Sequence, residues 1–366
     1  MNSSTTTASE RADFRASLRD FFEDNSPETR VREIIATDAG IDESVWRGLA
    51  TDLGVAGLLI PEEFGGQGMG MAEMAVALEE ASRALAVVPL LASGVLAPVA
   101  IQLAGDANAN STVLPSIADG SSIVTVALVD GAGVNTVARD ENGWSIYGSK
   151  TAVLNAGVAN SILVVATTPT GTGLFLVDGK SSGVVVTPQN SLDLTRPTAL
   201  VTFEGVAATR IGGEYSDALK ALNAYGRIAV SAELLGMSEK LMEVSVEYAK
   251  TRVQFGKPIG SFQAIKHRCS EMFAHVESMR AAVETASLVE PADSISLNEQ
   301  ALVVKAYCAR FAPWVAEATI QVHGGIGFTW EHCAHLYLRR VKTDEVLFGD
   351  ALTCRDQLQQ LLGLTA

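Results

Sequence analysis

The chain has 366 residues, 48% hydrophobic and 19% charged, with 32 glycines and 11 prolines. That length suits two to three domains or one large layered one, and the apolar content excludes a mostly disordered protein. Basic residues number 27 and acidic residues 42, a formal charge of −15; such a surface repels phosphate backbones and anionic membranes, so neither nucleic acid nor a membrane is an expected partner.

In chain order, Met1-Asn2-Ser3-Ser4-Thr5-Thr6-Thr7 has neither the basic nor the apolar region of a leader and reads with residues 8–9 as a flexible tail. Residues 10–115 read as a helical N-terminal domain. Phe14, Leu18 and Phe21/Phe22 fall on one helical face, a second helix lies around Val45–Ala50, and a long one covers 72–85 with Arg83 in its last turn. Between them Leu58-Leu59-Ile60-Pro61 runs into a glycine-rich turn. Ala84 to Gly105 is uncharged over 22 residues, long enough to cross a bilayer. Pro89, Gly94, Pro98 and Gln102, with no aromatic anchors or flanking basic cluster, instead predict a buried pair of core helices.

Residues 116–212 switch to short β-rich runs at 123–129, 144–147, 162–166, 174–177, 184–187 and 199–203. Asn142-Gly143 is a tight-turn signal before Trp144. A small antiparallel barrel or sandwich is expected. Residues 213–366 are helical again, with helices predicted over 216–251, 261–288, 296–322 and 344–362 and an interruption at Glu290-Pro291-Ala292-Asp293. The fold class is therefore α+β: an N-terminal helical domain, a central small antiparallel β domain and a C-terminal four-helix bundle. Cys269, Cys308, Cys333 and Cys354 form no C-x-x-C pair, which predicts reduced thiols and a cytoplasmic protein.

Three motifs carry a resemblance. Leu53-Gly54-Val55-Ala56-Gly57-Leu58-Leu59-Ile60-Pro61-Glu62-Glu63-Phe64-Gly65-Gly66-Gln67-Gly68 after Trp46 is one. Tyr248-Ala249-Lys250-Thr251-Arg252-Val253-Gln254-Phe255-Gly256-Lys257-Pro258-Ile259 is the second, and Gln321-Val322-His323-Gly324-Gly325-Ile326-Gly327-Phe328 the third. Together, in order and over nearly the whole chain, they resemble the acyl-CoA dehydrogenase family. The resemblance implies FAD as cofactor, an acyl-CoA thioester as substrate and its trans-2-enoyl-CoA as product. A carboxylate takes the α-proton, a hydride leaves to the flavin, and donors polarise the thioester oxygen. It also implies an electron-transferring flavoprotein as acceptor.

The departures from the family pattern are as informative. Phe348, in Leu347-Phe348-Gly349-Asp350, stands where the commonest family base, a Glu, is expected; Gly226, before Arg227, stands where a second group of the family places its Glu. A phenyl ring and a glycine accept no proton. Leu128-Val129-Asp130-Gly131-Ala132-Gly133 replaces the family segment that lines flavin and acyl-CoA, and Leu154 replaces a flavin-contacting Thr. The positions that in the family hold the adenosine end of a neighbouring subunit's FAD are retained as Arg252, Gln254, Phe255, Gln321, Gly324 and Gly325. An Arg pairs with pyrophosphate, an aromatic face and an amide suit adenosine, and glycines admit close approach. Read singly, Arg252 is a surface charge, Phe255 a core residue and the glycines turns.

These features imply a subunit without its own base, completing the FAD site of a homologous partner that carries the catalytic Glu. Such assemblies resemble the α2β2 enzymes of actinobacterial steroid side-chain degradation, with a steroid-CoA ester as substrate. Two alternatives stay open: a homomeric flavoenzyme with a base relocated to Asp350 (Asp344 and Glu345 lie one turn earlier), and a flavin-free structural subunit. On a continuous helix Asp350 would face about 200° from Phe348. His332, Cys333 and His335 lack the further ligands of a zinc site. Glu62-Glu63 point apart rather than pair for glycoside chemistry, and the loop from Gly65 to Gly70 lacks the Lys-Ser/Thr of a phosphate loop.

Overall fold

A computed structural model describes residues 6–37, 40–141, 143–289 and 293–364. Residues 1–5 of the tail expected over 1–9, Asn142 of the turn signal and residues 290–292 of the interruption lie outside these; Ala8 and Ser9 belong to the first helix, capped by Thr7, and Asp293 caps the helix that follows the interruption. The N-terminal region holds α1 (Ala8–Asn25), α2 (Glu28–Ile35), α3 (Glu43–Thr51), α4 (Met71–Arg83), α5 (Ala97–Leu103) and α6 (Ala107–Ala118). The strands are β1 (Val124–Ala127), β2 (Val129–Asp130), β3 (Val137–Asp140), β4 (Trp144–Leu154), β5 (Ser161–Thr168), β6 (Gly171–Asp178), β7 (Val184–Pro188) and β8 (Thr198–Ile211). After them come α7 (Ser216–Thr251), a hairpin of β9 (Val253–Gln254) and β10 (Lys257–Pro258), α8 (Gln263–Ser287), α9 (Ser294–His323), α10 (Ala334–Val346) and α11 (Ala351–Leu361). Helical, β and helical regions follow one another as expected.

The chain divides into two compact units. One comprises residues 31–74 and 87–226; the other comprises 6–30, 75–86 and the chain from Arg227 onward.

In the first unit, the glycine-rich turn folds back on Leu58–Ile60: Gln67 N donates to Gly57 O and Gly68 N to Ile60 O, at 2.9 and 2.8 Å. A Cβ on Gly66 would sit 2.0 Å from Ile60 O, so glycine is required there by contact with backbone. Glu62 and Glu63 are exposed on a short 3-10 turn. The uncharged stretch forms a buried π-helical segment, Leu90–Leu96, running into α5. Among the described residues no helix is long and apolar enough to cross a membrane. Asp106 caps α6, accepting from Asn108 N and Ala109 N, while its other oxygen accepts from Gly212 N at 3.0 Å.

The strands close on themselves: β4 pairs with β3, β3 with β5, β5 with β6, β6 with β8, and β8 again with β4. The pairing is mainly antiparallel, but β1 and β3 run parallel to β5. Ile146, Val164, Phe175, Val201 and Phe203 fill the interior. β3 is the strand missed in the sequence. After Val137 come Ala138, Arg139 and Asp140, poor strand formers, and the segment is held by pairing of Ala138 with Ile146 and Asp140 with Trp144.

In the second unit, Thr7 and Glu10 close a capping box on α1, Thr7 N donating to Glu10 Oε2 at 2.7 Å. From α1, Arg15 reaches Glu79 at 2.6 Å and Arg19 reaches Glu80 at 2.8 Å. Both acids are on α4 and almost wholly buried. Gly236 lets α7 approach α4, where a Cβ would lie 2.0 Å from Glu79 O, and Ser82 Oγ donates to Glu233 O. The helix expected over 344–362 is instead two, α10 and α11. Phe348 and Gly349 take φ of 59° and 99°, a left-handed pair that no α-helix accommodates.

Candidate cofactor-binding and base positions

Helices α7 and α9 end side by side in the second unit. Ser245 Oγ donates to Thr319 Oγ1 at 3.2 Å, and the Tyr248 and His323 rings stack with centroids 4.4 Å apart. Beyond α7 the chain reverses in the β9–β10 hairpin, whose central Phe255 and Gly256 both have positive φ, 53° and 78°. That is the primed turn a tight hairpin needs, and Phe is a costly residue for its first position. Phe255 is 92% exposed, which corrects its reading as a core residue. Arg252, Gln254 and Gln321 are exposed as well. Gly324 turns the chain out of α9 at φ 62°, and at Gly256, Gly324 and Gly325 an added Cβ would meet nothing within 4 Å. The residues expected to hold adenosine and pyrophosphate thus stand on one end of the helical unit, with a guanidinium, an aromatic face and open backbone toward solvent. This donor set fits the adenosine side of FAD.

The flavin-ring positions in the first unit do not. Leu154 is 5% exposed, its carbonyl accepts from buried Thr125 Oγ1, and it presents no polar side chain. Asp130 is occupied internally: Lys150 Nζ approaches it at 2.8 Å and Thr136 N donates to it at 3.0 Å. Burial raises its pKa, but these bonds outweigh that and hold it below the usual carboxylate range.

At the base positions, Phe348 O accepts from Arg227 Nε at 3.1 Å, and Arg227 also donates to Gln357 Oε1 at 2.7 Å. Lys305, fully buried on α9, donates to Asp344 O and Glu345 O at 3.0 and 2.8 Å. Burial pushes its pKa down to about 8. Two buried cations therefore fix the loop between α10 and α11 from its two ends. Asp350 accepts from Thr353 N at 2.8 Å as the N-cap of α11, and that bond lowers its pKa. Because the loop is not helical, the cap and not a 200° rotation sets the direction of Asp350.

Residues 8–121 match the acyl-CoA dehydrogenase N-terminal domain, and residues 216–362 the C-terminal domain. The acyl-CoA dehydrogenase IpdE2 of Mycolicibacterium smegmatis is 31% identical, with 92% of each chain covered. The chain belongs to the acyl-CoA dehydrogenase family. FadE27 of Mycobacterium tuberculosis is 32% identical over 87% of this chain and 88% of its own. Among solved structures, the Tcur3481-Tcur3483 steroid ACAD matches with a TM-score of 0.89 at 31% identity, covering 98% of this chain and 99% of that one. The ChsE4-ChsE5 complex from Mycobacterium tuberculosis matches with 0.88 at 29% identity, covering 99% of each. A glutaryl-CoA dehydrogenase from Mycobacterium smegmatis sharing the fold (TM-score 0.86, 19% identity, covering 98% of this chain and 96% of that one) is in complex with FADH2.

Two buried titratable groups, Lys305 and His323, carry little signal in the sequence. Lys305 lies in the apolar run Ala301-Leu302-Val303-Val304-Lys305-Ala306, where a lone lysine on a buried face is the only signal. His323 donates from Nδ1 to Thr319 O at 2.8 Å, which leaves Nε2 a buried acceptor. Its ring is sandwiched by Tyr248 and His332. His332 precedes α10 and accepts from Ala334 N, so it does not share a helix with His335.

Proposed function

We propose that this chain is the base-less subunit of a hetero-oligomeric, α2β2, FAD-dependent acyl-CoA dehydrogenase that converts an acyl-CoA thioester, of the steroid side-chain class, to its 2-enoyl-CoA. The observation that carries this reading is an asymmetry. Both family base positions are non-acidic, Phe348 and Gly226, whereas the adenosine-side set is complete and exposed at the ends of α7 and α9. A homologous partner supplies the catalytic Glu and the flavin-ring pocket. FAD, when bound, would supply the two-electron acceptor for the hydride leaving the β-carbon, with an electron-transferring flavoprotein as the acceptor of those electrons.

Within that assembly this chain's residues bind and orient. Arg252 neutralises pyrophosphate, Phe255 covers the adenine face, Gln254 and Gln321 hydrogen-bond the adenosine, and Gly324 and Gly325 let their backbone approach it. Similarity to the Tcur3481-Tcur3483 steroid ACAD supports the steroid class, and similarity to the ChsE4-ChsE5 complex supports the mixed assembly. A base relocated to Asp350 is disfavoured by its engagement as a helix cap, which makes it a weaker base.

The test is co-expression with a homologous acyl-CoA dehydrogenase chain that carries the catalytic Glu, reading FAD per chain from visible absorbance and mass from light scattering. About one FAD per two unlike chains, none on this chain alone, and loss of activity when the partner's Glu is replaced are the expected results. One FAD per chain in an active homotetramer overturns the proposal.

A further inference from the structure

Where α7, the hairpin and α8 meet, the second unit carries a cavity of 570 Å³, inside the roughly 300–1,000 Å³ range of small-molecule sites. Its walls are apolar: Ala249 of α7, Pro258 of β10, and Ile265 and Cys269 of α8. Burial pushes the Cys269 thiol up, as a wall of low polarity should. The only charged residues lining it are Lys250 and Lys266.

That sign is unusual for this chain. Its net charge is −15, yet residues 250–268 carry Lys250, Arg252, Lys257, Lys266 and Arg268 with no Asp or Glu. Lys250 pairs with Glu247 at 2.6 Å in an exposed bridge, a contact weak enough to be exchanged for a ligand. Among the described residues Lys266 makes no ion pair. An apolar cavity with ammonium groups as its only charges discriminates among amphiphiles. It favours a ligand apolar along its length and anionic at one end, gives a neutral analogue the burial alone, and repels a cationic one.

We propose that this cavity binds an amphipathic carboxylate of the fatty-acid class, at a site separate from the residues assigned to FAD. The inference does not depend on the subunit's catalytic role.

The full chain tests it with three ten-carbon probes, decanoate, decanol and decyltrimethylammonium, below their micellar concentrations. The readout is the rate of Cys269 alkylation by N-ethylmaleimide, followed by peptide mass spectrometry, with Cys333 as internal control. Decanoate is expected to slow Cys269 saturably while Cys333 is unchanged. Decanol should need about tenfold more, and decyltrimethylammonium should give no protection. Lys266→Glu should raise the half-saturating decanoate concentration about tenfold, and Lys266→Arg should leave it near the parent value. Equal protection by all three probes, no saturable protection, or indifference to Lys266→Glu in a variant with an unchanged melting temperature would overturn the assignment.

Discussion

Arg227 Nε donates to the carbonyl oxygen of Phe348 at 3.1 Å, so the side chain next to Gly226 grips the backbone of the loop between α10 and α11. The guanidinium is largely buried, and Asn298 Oδ1 and Gln357 Oε1 accept from its Nη1 and Nη2. Arg227→Met is expected to cost about 2–4 kcal/mol. Each hydrogen bond to a buried charge contributes roughly 1.5–3 kcal/mol, and removing the cation relieves part of its desolvation. The check is the urea midpoint at constant m; an unchanged midpoint would mean the loop holds its left-handed pair without this clamp.

Asp350 separates a helix cap from a relocated base. Asp350→Asn retains an N-cap oxygen and removes the base, whereas Asp350→Ala removes both and is expected to cost about 1 kcal/mol. In the assembled enzyme Asp350→Asn should leave kcat/KM within about twofold. A fall of about a hundredfold or more with stability intact would restore Asp350 as a base.

The order of helical, β and helical regions was legible because hydrophobic period changes from 3.6 to 2 and back. The end of α7 at Thr251 agrees with the sequence because β-branched Val253 and the turn at Phe255-Gly256 follow it. Less legible were features set by tertiary contact. The break at Phe348-Gly349 interrupts a run whose residue types suit a helix, and Lys305 and Arg227 hold it there from other helices. The cofactor candidates were readable only through motif order, since an exposed Arg252 or Phe255 has no intrachain signature.

The contact of Arg19 with Glu80 offers a direct measure of how α1 is fastened. Glu80 is 1% exposed and receives both Arg19 and Arg15. Glu80→Gln is expected to lose about 1–3 kcal/mol, because Arg19 and Arg15 each lose a charge-assisted partner while Arg15 keeps Glu79. In a double-mutant cycle with Arg19→Met the coupling should be about 1–3 kcal/mol. Coupling near zero would reduce the pair to surface electrostatics.

Stability should also fall with mild acid. Burial lowers the pKa values of His323 and His275 below the ordinary histidine value. The unfolded chain therefore binds these protons first. Their contribution is complete above about pH 6.5 and is lost as pH falls through the lower folded values. His323 has the clearer cause: Nδ1–H is committed to Thr319 O, and protonating Nε2 creates a buried donor against the His332 ring. Urea midpoints at pH 8 and pH 5.5 should differ, and His323→Gln should shrink the difference. An identical pH response in the variant would assign the loss elsewhere.

Phe255 sets stability against the proposed cofactor role. At φ 53° and 92% exposure it pays for a left-handed turn with almost no packing in return beyond an edge contact with Phe262. Asn followed by Gly256 is the preferred pair for this turn, so Phe255→Asn should stabilise the isolated chain by about 0.5–1 kcal/mol. If the ring covers adenine, the same substitution should weaken FAD retention by the mixed assembly about tenfold or more, since stacking on an aromatic contributes roughly 1–3 kcal/mol. Thermal melting of the chain and flavin absorbance after gel filtration of the assembly read the two effects separately. A stabilised chain whose assembly keeps its full flavin would show that Phe255 does not touch the cofactor. A destabilised chain would show instead that the ring packs where the hairpin meets α8.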